Sequence, residues 1–242
     1  MEYSLSNSLK SRKKSSTGTS LLNGLISHWK LNEVSGTRAD SHGNSTLIQY
    51  GTIAGVAGKI GNAAEFDSGE SLYNTDTPFS GNINPSVSFW ANRSSILNVS
   101  YPFICDSSFG FTFSGGNLNL DGVWLDQLNV PVVASVSAIT NVSDGNWHFI
   151  TGVANTTELG KSVSIYVDGI LDNIGYADVT DYGSGRIAEM PPSQIRLNGN
   201  TALDFGQGAE KLDSVSIWQR PLTNVEILRL YNNGSGLDYQ NF

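Results

Sequence analysis

The sequence predicts an all-β protein, a sandwich or barrel closed by one short helix. Short apolar runs with period two recur from residue 21 onward, each placing one face in a core and the other in water. Turns rich in Gly, Asn, Asp and Ser separate them, and only 15% of the chain is charged. No helical pattern intervenes before the C-terminus, so the strands connect as antiparallel neighbours. The length of 242 residues suits one such domain over residues 21–242.

The elements follow in order. "LISHWKL" (25–31) alternates, sending His28 and Trp29 to opposite faces. "NAAEFD" (62–67), "SVSFWANR" (86–93), "FGFTFSG" (109–115), "NLNLDGVWL" (117–125) and "PVVASVSAI" (131–139) are the next strand candidates. "NWHFITGVA" (146–154), "KSVSIYVDGILD" (161–172), "SQIRLNG" (193–199) and "KLDSVSIWQ" (211–219) complete them. "VDGI" (167–170) between two apolar runs predicts a tight hairpin. After "IWQRPL", Thr223 and Glu226 form the T-x-x-E capping box of a helix. Ile227, Leu228, Leu230 and Tyr231 give that helix a partial apolar stripe, and "NNGSG" ends it.

Charge narrows the function classes. Residues 1–20 carry Lys10, Arg12, Lys13 and Lys14 against Glu2, so the remainder holds 10 basic and 21 acidic residues. An acidic body argues against a nucleic-acid partner, which needs clustered Lys and Arg. The single cysteine, Cys105, allows no intrachain disulfide and reads as a buried thiol in "YPFICD". No apolar stretch is long enough for a membrane span. Residues 1–20 are polar, Ser- and Lys-rich, and lack a signal peptide's apolar region. Such a segment is ordered only when something holds it. The expectation is an extended N-terminal arm anchored on another subunit of an assembly, with chance packing as the alternative.

Several stretches together resemble a known family. "GLISHWKLNEVSGTRADSHGN" (24–44), "GKIGNAAEFD" (58–67), "SVSFWANR", "DGNWHFITGVA" (144–154), "VSIYVDGIL" and "KLDSVSIWQRPLTNVEILRLYNNG" (211–234) fall in the order seen in laminin-G-like domains. These belong to the concanavalin A-like lectin and glucanase superfamily. The resemblance implies a jelly roll of two antiparallel sheets, used for glycan or protein recognition, adhesion, or as an accessory module on enzymes and viral particles. The chain departs from the pattern at Ser214, where similar domains carry Glu after the Asp, and matches only loosely over residues 94–140.

The resemblance also implies a structural Ca2+ held by Asp40 and Asp213, with Asn44 as a further ligand. Carboxylate and amide oxygens suit a hard cation. The alternative is an Asx-turn at Asp40 and a strand-end carboxylate at Asp213. A glucanase needs paired carboxylates in an E-x-D-x-x-E or E-x-D-x-E strand, and none occurs; the nearest acids are Glu65, Asp67 and Glu70. His28, His42 and His148 assemble no recognisable triad, and His148 reads as packing. Trp29, Trp90, Trp147 and Trp218 fall at core positions of the resemblance. Trp124 lies in the variable stretch beside Asp121 and Asp126, where a ring could stack on a sugar or fill the core of an extra hairpin.

These readings converge on a non-catalytic recognition or structural module. The favoured setting is a virion surface, as a phage capsid decoration, head-fibre or tail-fibre protein made in the host cytoplasm. There it is oligomeric within the assembly, joined to other subunits through residues 1–20, with a host glycan as ligand. A cell-surface or secreted lectin-like domain is the alternative, and a glycoside hydrolase comes third.

Overall fold

The computed structural model describes residues 20–75, 84–94, 96, 99–105, 108–125, 131–157, 160–177, 186–187, 194–199 and 210–242. Apart from Ser20, the expected arm at residues 1–20 lies outside the described residues, as does Asp126.

The chain forms two antiparallel sheets, the all-β sandwich that the sequence predicts. One runs β13 (Ile170–Tyr176), β12 (Gly160–Val167), β11 (Trp147–Thr157), β6 (Ser86–Arg93), β16 (Glu210–Trp218), β4 (Asn62–Phe66), β3 (Ala54–Ala57), with β1 (Leu25–Trp29) also paired to β16. The other runs β10 (Pro131–Ser137), β9 (Asn117–Leu125), β8 (Phe109–Ser114), β7 (Ser100–Cys105), β15 (Ile195–Leu197), β5 (Ser71–Asn74), β2 (Ile48–Tyr50), with β14 (Arg186–Ile187) on β9. β2, β3 and β14 have too few residues to show an alternation, which is why the sequence reading passes over them.

The core lies between the sheets. Val87, Phe89, Ile150, Ile165 and Ile217 from the first sheet meet Phe103, Phe111, Leu120, Trp124 and Ile195 from the second. Two glycines set how closely they meet. A Cβ on Gly152 would fall 2.4 Å from Phe111 Cζ, and one on Gly122 would fall 2.7 Å from both Trp124 Cη2 and Val163 Cγ1. The largest rings therefore pack where a strand presents bare backbone.

Local chemistry fixes the ends. Asp168 (φ 53°) and Gly169 (φ 82°) both take the left-handed conformation that a two-residue I′ hairpin demands, joining β12 to β13. Helix α1 (Asn224–Tyr231) has both halves of its capping box: Glu226 N–H donates to Thr223 Oγ1 at 3.3 Å, and Thr223 N–H to Glu226 Oε2 at 2.9 Å. Asn232, left-handed at φ 50°, stops it. Ile227 and Leu230 of α1 lie on the outer side of the first sheet with Trp90, Phe149, Tyr166 and Trp218. Leu237, Tyr239 and Phe242 extend this cover, Tyr239 stacking on His28 at 4.9 Å between ring centres. Burial and the Lys30 charge lower the His28 pKa to about 4.

β16 is the organising strand. β6 runs along one edge. The other edge is shared, with β4 pairing Glu210–Leu212 and β1 pairing Val215–Trp218. At the change of partner the ladder bulges, and Ser214 takes φ 54°.

Candidate functional site

The outer faces of the two sheets differ. The first is roofed by α1 and the C-terminal tail. On the second, β9 reads exposed and half-exposed at Asn117, Asn119, Asp121 and Val123, and buried at Leu118, Leu120, Gly122 and Trp124. Register then aligns Ser137, Asn119 and Thr112 in one cross-strand row, and Ser135, Asp121 and Gly110 in the next. Thr112, Asn119, Asp121, Ser135, Val136 and Ser137 line an open cavity of about 300 Å3.

The groove is built to hold its shape. Ser137 Oγ donates to Asn119 Oδ1 at 2.6 Å, and Asn119 Nδ2 donates to the Thr112 carbonyl at 3.3 Å, so the amide is oriented from both sides. From behind, Asn173 of β13 donates from Nδ2 to the Ser137 carbonyl at 2.9 Å. A Cβ on Gly175 would lie 2.1 Å from the Ser135 carbonyl oxygen, so β13 packs directly on the β10 backbone. That contact covers an edge strand that would otherwise be open to another chain.

Asp121 differs from most of the described aspartates; only the exposed Asp67 shares its lack of a donor. Asp40, Asp144, Asp168, Asp172, Asp213 and Asp238 all accept backbone N–H groups. Among the described residues no protein group donates to the Asp121 carboxylate. It faces the cavity with its acceptor capacity unspent.

The expected calcium ligands have other work. Asp40 Oδ1 accepts the N–H groups of His28 (3.0 Å), His42 (2.9 Å) and Gly43 (2.9 Å), and Oδ2 accepts that of Ser45 (3.2 Å). Burial opposes its charge, but these bonds outweigh burial and hold its pKa below the usual carboxylate value. Asn44 lies exposed in the same loop, its carbonyl accepting Thr46 N–H at 3.1 Å. Asp213 stands at the partner change of β16 and turns to a different loop. Its Oδ2 accepts Lys59 and Ile60 N–H, each at 2.7 Å, and its Oδ1 is buried without a partner. Burial raises its pKa to about 7 despite those bonds.

The motif glycines follow from these contacts. A Cβ on Gly43 would sit 2.7 Å from Asp40 Oδ2, and one on Gly58 would sit 2.7 Å from Asp213 Oδ2. Among the described residues no three His, Cys, Asp or Glu gather as a metal site. The two carboxylates serve separate loops: both Asp40 oxygens and Asp213 Oδ2 accept N–H groups, and Asp213 Oδ1 is the one oxygen left without a donor.

Trp124 is also reassigned. It is fully buried in the core, with its ring over Gly122, and has no face for a sugar. The reason is parity, because it shares the inward side of β9 with Leu118 and Leu120. The same alternation turns Asp121, its companion in the sequence, outward. Of the acids at 65–70, Glu70 does structural work: its Oε1 accepts Thr52 N–H at 3.0 Å and its Oε2 accepts Asp67 N–H at 2.8 Å. His148 Nδ1 lies 2.9 Å from Asp168 Oδ2, which raises the imidazole pKa. Cys105 is buried in the core.

Among the described residues, fold and site thus define a β-sandwich with one sheet roofed by α1 and the C-terminal tail and a polar groove over β8, β9 and β10 of the other. No protein-family model and no curated protein matches the chain. Solved structures do. The binding domain of Paraclostridial Mosquitocidal Protein 1 has a TM-score of 0.65 at 17% identity, over 89% of this chain and 53% of that one. The receptor binding domain of botulinum neurotoxin D has a TM-score of 0.63 at 15% identity, over 89% and 54%. The botulinum neurotoxin serotype D ligand binding domain in complex with N-acetylneuraminic acid has a TM-score of 0.63 at 16% identity, over 87% and 51%. The chain spans about half the length of each. At these identities the likeness is one of fold.

Proposed function

We propose that this chain is a non-catalytic recognition module that binds a carbohydrate in the groove over β8, β9 and β10. The observation that carries the proposal is the unspent Asp121 carboxylate beside the pre-oriented Asn119, on the sheet face that α1 and the C-terminal tail leave open. A carboxylate, an amide and hydroxyls on a rigid sheet suit the hydroxyl-rich surface of a sugar. The toxin binding domains of like fold, one of them in complex with N-acetylneuraminic acid, support a binding role. The laminin-G-like motifs of the sequence point the same way. Glycoside hydrolysis needs two opposed carboxylates, and among the described residues Asp121 is the one carboxylate lining the groove.

No aromatic ring is among the described residues that line the groove, so affinity rests on hydrogen bonds, and a single sugar binds with a Kd of about 1 mM. The test is a titration with simple sugars followed by amide NMR. Shifts centred on Thr112, Asn119, Asp121, Ser135 and Ser137 support the reading. A panel that leaves these amides unmoved at about ten times that concentration refutes it.

The setting we propose is a virion surface, with residues 1–20 as the anchor. Deleting them abolishes incorporation into the particle and leaves sugar binding intact; unchanged incorporation counts against the anchor.

A further inference from the structure

The groove's charge carries the reading further. Of its described lining residues, Asp121 has the only ionisable side chain, and none is Lys, Arg or His. Its remaining polar groups are neutral: the Asn119 amide and the hydroxyls of Thr112, Ser135 and Ser137. Asp121 has Ser135 on one flank and Gly110 on the other. Gly110 brings no side chain of its own, and Ile104 Cγ1 lies 2.9 Å from where its Cβ would stand. The Ile104 side chain therefore fills the place that Gly110 leaves and gives Asp121 an apolar neighbour at the edge of the groove. The Ser135–Asp121–Gly110 row spans three strands, about 10 Å, room for one sugar ring.

Resting on the carbohydrate reading above, we infer that the groove selects a neutral sugar, gripped through two adjacent hydroxyls by Asp121, and rejects acidic sugars. A carboxylate offers two acceptor oxygens in one plane, which matches the O–H groups of a vicinal diol, and such bonds to an ionised acceptor are the stronger kind. Asn119 and the hydroxyls supply complementary donors and acceptors, and Ile104 supplies apolar contact for the ring's C–H face. Among the described lining residues a sialylated or uronic acid ligand finds no cation. It brings its carboxylate toward Asp121, on a chain whose formal net charge is already −8. The groove chemistry thus differs from what the N-acetylneuraminic acid complex of a like-folded toxin domain would suggest.

The experiment compares matched glycans, neutral and sialylated on the same core, against the full chain and its Asp121→Asn variant on a glycan array at low salt. Among the described residues Asp121 accepts no hydrogen bond, so the variant keeps its fold, checked by an unchanged melting curve. For wild type, neutral glycans bind about tenfold or more tightly than their sialylated counterparts, and about 0.5 M salt narrows the gap. Asp121→Asn loses about tenfold for the neutral glycan and no longer discriminates against the acidic one. Equal or tighter binding of sialylated glycans by wild type overturns the inference and leaves the carbohydrate reading standing. Absence of binding to every glycan overturns both. Unchanged selectivity in Asp121→Asn overturns the role given to that carboxylate.

Discussion

Asp213 offers a sharp test, because two readings of one carboxylate predict opposite behaviour. It is fully buried, caps the Lys59 and Ile60 N–H groups, and has its pKa raised to about 7 from an ordinary 3.8. A folded-state pKa above the unfolded one means that the native protein holds this proton more tightly. The stability contributed is full below pH 3.8 and is lost as pH rises through 7. Each unit is worth about 1.4 kcal/mol, so this group removes roughly 3 kcal/mol of wild-type stability between about pH 5 and pH 8. Asp213→Asn keeps a carbonyl oxygen for both N–H groups and cannot ionise, so that loss disappears. Asp213→Ala leaves two part-buried N–H groups without an acceptor and costs about 1–3 kcal/mol at pH 5. Urea unfolding followed by Trp fluorescence across this range reads all three proteins. Calcium and a chelator are run in parallel and are expected to give coincident midpoints. If calcium raises the midpoint of wild type but not of Asp213→Asn, the carboxylate is a ligand and the capping argument fails. A wild type whose stability stays level from pH 5 to pH 8, relative to Asp213→Asn, refutes the pKa reasoning.

Other perturbations test the packing. Gly152→Ala drives a methyl into Phe111 and Leu120 and destabilises the sandwich by about 1–3 kcal/mol. Combining it with Phe111→Leu recovers part of that loss, and additive losses in a double-mutant cycle would contradict the contact. Thr223→Ala removes the cap of α1 and costs about 1 kcal/mol, read as a lower melting temperature. His148 titrates above 6.5 by NMR because Asp168 holds its proton. The stabilisation from that pair is full below pH 6.5 and fades as pH rises through the raised value, and Asp168→Asn brings the titration back down.

Much of this structure was legible in the sequence because it is local. Period-two runs predicted β6, β8, β9 and β10, since alternation is a property of a strand by itself. "VDGI" predicted its hairpin because only certain residues tolerate two successive positive φ angles. Thr223 and Glu226 predicted the start of α1 because both capping bonds close within one turn. Parity within "NLNLDGVWL" was also there to be read: it turns Trp124 inward with the leucines and Asp121 outward.

The sequence could not say which carboxylates were already spent. Asp213 Oδ2 accepts N–H groups more than 150 positions away, brought to it by the change of partner along β16. Nor could it say which sheet face stays open, because α1 and the tail at Leu237, Tyr239 and Phe242 fold back over only one of them. Sequence by itself determined the strands, turns and caps, whose energies are settled among near neighbours. Tertiary structure decided the occupied carboxylates and the open groove, because hydrogen-bond satisfaction and burial depend on what the rest of the chain brings alongside.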